Sequence, residues 1–224
     1  MKQADQIVQM IMSYPETCED GGLVNELLRQ FHRGYPVKNL EPMLSSDDDR
    51  IVKTGIWLAS ELGSQAAVVL QHVSRLLTHP SRYVRYYAVD CMLTCTTRKN
   101  ESELGAVISM LVDTDAVVRW EVLNFMSRAT REQLQGALDY FLRHDPDSFH
   151  AGGLRWLLGQ GGQDPVEVVS FLKSGNDLLR KYAVVAASRM AAFVSEPLVL
   201  ACSSEDEDVR TFATDALNRL PHTC

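Results

Sequence analysis

The chain has 224 residues, 46% of them hydrophobic and 23% charged, the make-up of ordinary globular material long enough for one substantial core or one elongated array, and not of a disordered segment. Its 22 basic and 29 acidic residues leave a formal charge of −7, which disfavours the phosphate attraction behind most nucleic-acid affinity and makes a basic partner the easier match. Five cysteines (Cys18, Cys91, Cys95, Cys202 and Cys224) without any CxxC spacing argue against a disulfide framework or a zinc knuckle. The start has no unbroken apolar core of the kind a signal peptide needs, and the longest apolar runs fall far short of the roughly 20 residues that cross a bilayer. A reducing, cytoplasmic setting without a membrane is expected.

In chain order, the first 36 residues predict a helix pair, 5–14 and 22–33, expected to cap the open end of an array. A repeat then begins. Asp49-Arg-Ile-Val-Lys, Ser81-Arg-Tyr-Val-Arg, Asp115-Ala-Val-Val-Arg, Asn176-Asp-Leu-Leu-Arg and Asp206-Glu-Asp-Val-Arg share a capping residue, two variable positions, an aliphatic and a base, with a weaker copy at Pro146-Asp-Ser-Phe-His. The bases Lys53, Arg85, Arg119, His150, Arg180 and Arg210 recur at intervals of 32, 34, 31, 30 and 30 residues, the period of a repeat architecture.

Each copy opens an amphipathic helix. With the aliphatic as position zero and about 100° of rotation per residue, positions 0, +4, +7 and +8 share one stripe. They read Val84, Ala88, Cys91, Met92; Val118, Val122, Phe125, Met126; Leu179, Ala183, Ala186, Ala187; and Val209, Ala213, Ala216, Leu217. All are apolar and should be buried. Second amphipathic segments at 64–78, 101–113, 131–143, 164–174 and 194–203 make two helices per repeat, and Gly63 and Gly175 stand where helices should stop. No alternating strand pattern appears. The expected organisation is a cap over 1–36, about six repeats over 37–220 with the fourth, near 131–159, degenerate, and a tail at 221–224.

The pattern Asp-x-x-Val-Arg-x-x-Ala-x-x-Ala-Leu, met in full at Asp206–Leu217, resembles the second helix of bacterial HEAT repeats over about residues 37–220. The resemblance implies an all-α superhelix of antiparallel helix pairs that holds a partner along one surface, with the repeated bases meeting the acidic cap of an adjacent repeat. The chain departs from the pattern at Lys53 and His150, and at Gly152-Gly153, where two helix-weakening glycines suggest a bent or open unit.

Function should then sit on the positions left outside the apolar stripe. At +2, +3 and +6 the chain offers Tyr86, Tyr87, Asp90, Trp120, Glu121, Asn124, Arg155, Tyr182, Phe212 and Asp215. Aromatics beside acids form a plausible protein-binding surface, because aromatics dominate interface energetics. No catalytic residue, cofactor site or metal site is expected: the six histidines lack HExxH or paired spacing, Cys91 and Cys95 fall on the buried stripe, and Gly159-Gln-Gly-Gly-Gln lacks the phosphate loop's lysine.

The leading reading is therefore a non-enzymatic protein-binding module. Its small size and acidity resemble HEAT-like immunity proteins that neutralise a bacterial toxin, often a basic nuclease. The alternatives are a general adaptor or scaffold and a HEAT-like alkylpurine DNA glycosylase. Trp120 and Glu121 would suit the glycosylase, but it also needs a basic groove, for which only Arg155 and Lys181 offer themselves.

Overall fold

The computed structural model describes residues 2–220. The α-helices are α1 (Lys2–Ser13), α2 (Gly21–His32), α3 (Glu41–Leu44), α4 (Asp49–Glu61), α5 (Leu70–Arg75), α6 (Arg82–Cys95), α7 (Glu101–Ser109), α8 (Ala116–Arg128), α9 (Arg131–His144), α10 (Phe149–Leu158), α11 (Pro165–Leu172), α12 (Asp177–Met190), α13 (Glu196–Ala201) and α14 (Glu207–Asn218). No strand occurs among the described residues. Short 3-10 turns flank α5 and follow α7, so each expected second segment is helical. The chain is an all-α helical repeat solenoid of antiparallel helix pairs. The expected tail at 221–224, with Cys224, lies outside the described residues.

The helix starts follow from local chemistry. Asp115, Asn176 and Asp206 each accept a backbone N–H of the first turn, the bond that a free helix N-terminus needs. In the first copy Asp48, not Asp49, is the cap, accepting from the Arg50 N–H at 2.9 Å. In the fourth copy Ser148 takes the role that Pro146 cannot. The sixteen stripe residues are buried except Leu179 and Leu217, which are half-buried.

The repeated arginines share a second role besides the expected one. Arg85 donates to the His79 and Pro80 carbonyls at 2.8 and 2.9 Å, Arg119 to Asp113 and Thr114 at 2.8 and 3.2 Å, Arg180 to Ser174 at 2.7 Å, and Arg210 to Ser204 and Glu205 at 2.7 and 3.4 Å. Each guanidinium thus reaches back five or six residues to carbonyls of the turn that joins the two helices of the pair, which lie outside both helices' hydrogen-bond ladders. Arg180 also reaches the next cap, Asp206, at 3.1 Å. The recurrent partner is the turn's own backbone, two carbonyls for Arg85, Arg119 and Arg210 and one for Arg180, because the side chain is long enough to close its own loop.

Two compact units divide the chain, Met1–Thr96 and Thr97–Cys224. In the first, α1 and α2 pack together, and the Tyr35 hydroxyl donates to Asp5 at 2.8 Å, tying the segment after α2 back to α1. Gly55, a +3 position, is buried under α3, where a Cβ would come within 2.9 Å of Met43 Cβ. Gly63 ends α4 with φ 57°, the left-handed conformation that favours glycine.

The second unit departs from a regular stack. α8 packs on α12 and α14, further along the chain, while α10 lies against α9 and α12. Polar contacts fix the arrangement: Arg219 donates to Asn124 Oδ1 at 2.9 Å, Lys181 to the Leu111 carbonyl at 3.0 Å, and Arg189 to the Met126, Ser127 and Ala129 carbonyls at 2.8–3.2 Å. At the centre, Asp208 of α14 takes a two-point ion pair from Arg119 of α8 at 2.6 and 2.9 Å and a third bond from Lys181 of α12 at 2.9 Å.

The glycine pair does not interrupt its helix. α10 runs unbroken through Gly152 and Gly153, and the room at Gly153 is filled by the chain itself, since a Cβ there would lie 2.5–2.7 Å from the Tyr182 ring. Gly152 faces open space.

Candidate functional site

The packing of α8 on α12 and α14 re-sorts the residues expected on a solvated face. Tyr182, Phe212, Glu121 and Asn124 are 0%, 1%, 1% and 4% exposed, so all four are interior. This corrects the expectation for these residues, and the reason is that α8 and α12 are buried around most of their circumference, not along one stripe. Glu121 accepts from Asn124 Nδ2 at 3.0 Å. The Tyr182 hydroxyl meets His150 Nδ1 at 3.2 Å, and the His150 ring stacks on Phe141 at 5.1 Å. Burial raises the Tyr182 phenol above its ordinary range and lowers the His150 imidazole below its own, outweighing the opposing pull of Asp145. Lys181, a candidate groove cation, is buried too.

The remaining candidates stay accessible in separate places. Arg155 is exposed on α10. Tyr86 and Tyr87 are half-buried on α6, edge to face at 5.3 Å, with Asp90 a turn further on. Burial first, then the charges of Glu61 and Asp90, raises the Tyr87 phenol. Tyr87 lines a cleft of about 420 Å³ with Trp57, Arg50, Lys53 and Cys18. Its cations are already engaged: Arg50 forms a two-point pair with Asp48, and Lys53 lies 4.7 Å from the Tyr83 ring centroid.

Trp120 and Asp215 are brought together. They line a cleft of about 280 Å³ between α8 and α14, with Val117, Glu207, Asp208 and Thr211. Val117 is 47% exposed. The Trp120 ring meets Phe212 edge-on at 6.4 Å and lies 5.0 Å from the Arg219 guanidinium, and its buried indole N–H has no acceptor among the described residues. Asp208 is neutralised by Arg119 and Lys181: burial pushes its carboxyl up, their hydrogen bonds and charges pull it down, and the net shift is downward. Glu207 and Asp215 have no cation partner among the described residues. The cleft is therefore an aromatic floor with an uncompensated acidic rim. Sequence reasoning missed Val117, Glu207 and Thr211; the legible signal was the doublet Glu207-Asp208 in the first turn of α14.

The described residues contain no cluster of three or more side chains able to hold a metal ion. Cys91 and Cys95 are buried free thiols with sulfurs 3.5 Å apart, as expected of core residues. No helix among the described residues is long and apolar enough to cross a membrane.

No protein-family model matches the chain, and no curated protein matches it. Solved structures do. An engineered protein is 15% identical with TM-score 0.54, covering 97% of this chain and 98% of that one. A designed armadillo repeat protein in complex with the peptide (KR)4 is 16% identical with TM-score 0.52, covering 95% and 97%. An archaeal HEAT-like repeats protein from Thermococcus onnurineus NA1 is 14% identical with TM-score 0.50, covering 96% and 95%. The chain is similar in fold to helical repeat proteins over nearly its whole length.

Proposed function

We propose that the chain is a non-enzymatic, cytoplasmic binding module that takes a Lys/Arg-rich segment of a protein partner in the cleft between α8 and α14. The observation that carries this reading is the pairing of Glu207 and Asp215, which have no cation partner among the described residues, with Trp120 and Val117 in one cleft. A basic peptide supplies the cations that these carboxylates lack, with its apolar stems against Val117 and the edge of Trp120. The designed armadillo protein of similar fold is complexed with (KR)4, and the charge of −7 would speed association with any basic partner.

A finer version is an immunity protein that neutralises a basic toxin domain. The glycosylase alternative is weaker, because Lys181 is spent on Leu111 and Asp208, and Glu121 is buried against Asn124. Fluorescence anisotropy with labelled (Lys-Arg)4 tests the cleft. The E207Q/D215N variant should bind about tenfold more weakly in low salt, and the wild-type affinity should fall as salt rises. Equal binding by both proteins refutes it. Immunity is tested separately, by protection of cells against the product of a neighbouring gene; a failure to protect removes that version and leaves the binding module.

A further inference from the structure

The second unit carries another cleft, of about 460 Å³, bounded by α9, the end of α10 and the last turn of α12. Leu134, Leu157, Leu158 and Met190 give it apolar walls, and Arg131 and Arg189 stand at it together. Phe193, also lining it, is 92% exposed. Phe193 carries the apolar lining of the cleft out to its solvent edge.

The two guanidiniums are held by backbone alone. Arg131 donates to the Leu158 carbonyl at 2.7 Å, and Arg189 donates through one nitrogen to the Met126, Ser127 and Ala129 carbonyls. Neither pairs with a carboxylate among the described residues, in a chain with seven more acids than bases. Burial lowers the Arg189 guanidinium from its ordinary value, and the like charge of Arg131 lowers it further. Two cations kept together beside an apolar cleft, without an anion among the described residues, are complementary to one kind of ligand. Carboxylates match the guanidinium fork, and the volume falls within the range of small-molecule sites.

We propose that this cleft binds a small amphipathic carboxylate, its carboxyl group between Arg131 and Arg189 and its aliphatic tail over Leu157, Leu158 and Met190 toward Phe193. The site shares no residue with the α8–α14 cleft and does not depend on the function proposed there.

The test is calorimetric titration of the full chain with decanoate, octanoate and decanol, each below its aggregation concentration, and with a short apolar peptide bearing a free C-terminus. Decanoate should bind saturably, more tightly than octanoate and at least tenfold more tightly than decanol. Arg131→Gln should weaken decanoate at least tenfold and Phe193→Ser several-fold, with melting temperatures close to that of wild type. E207Q/D215N should bind decanoate as wild type does. Equal affinity for decanol and decanoate, an unaffected Arg131→Gln variant, no saturable decanoate binding, or binding of the peptide alone each overturns the proposal.

Discussion

Replacing Asp208 by asparagine tests whether the second unit is held closed by its central charge cluster. The carboxylate is 11% exposed and joins Arg119, 22% exposed, to Lys181, 8% exposed. The substitution removes the negative charge, leaves two cations facing each other and keeps one acceptor oxygen. Removing one member of a fully buried pair costs about 3–5 kcal/mol. The partial exposure of Arg119 and the retained acceptor reduce this, so about 2–4 kcal/mol is expected. For a chain of this size that corresponds to roughly 5–12 °C in melting temperature. Urea unfolding followed by circular dichroism, with thermal melts alongside, gives the value. The double variant D208L/K181M should lose less than the sum of its single changes, because it removes charges of both signs. A loss under about 0.5 kcal/mol for D208N would refute the idea that this cluster joins α8, α12 and α14.

Gly153→Ala should destabilise by about 1–3 kcal/mol, since its Cβ would overlap the Tyr182 ring, whereas Gly152→Ala should stabilise by about 0.5–1 kcal/mol, having open space and better helix propensity; chemical denaturation of the pair checks both. His150, whose imidazole is lowered from 6.5 by burial, is favoured neutral in the fold, so its contribution is intact above about pH 6.5 and declines as pH falls from there toward the folded value, where the unfolded chain takes up a proton first. Replacing it with glutamine should flatten the fall in melting temperature between pH 7 and pH 5. Arg210→Met should cost about 1 kcal/mol by freeing the Ser204 and Glu205 carbonyls, measured by urea unfolding.

The repeat, its helix pairs and the apolar stripe were legible because they rest on local periodicity: Val118, Val122, Phe125 and Met126 are buried wherever α8 goes. What periodicity could not reveal is a second packing face. The apolar run Tyr182–Ala187 in α12 has no polar side, and all six residues are buried; that is the mark of a helix enclosed by others. Reading it so would have moved Tyr182 and its counterparts on α8 and α14 into the core. The carbonyl role of the arginines was hidden for another reason, since a cap and a loop carbonyl lie at similar reach and sequence does not distinguish them.

Closure of the second unit also constrains where binding can occur. An open array presents the exposed faces of consecutive second helices, and its specificity accumulates repeat by repeat. Here α8 has turned that face onto α12 and α14, so Glu121, Asn124, Tyr182 and Phe212 act as internal cement, and the rim of the junction, where Trp120 meets Val117, Glu207, Thr211 and Asp215, stays accessible. A partner of the second unit's acidic surface would engage a few residues at the end of two helices. Its affinity would then come from a small number of charge and aromatic contacts, with a steep response to salt and to single substitutions in the partner's basic segment.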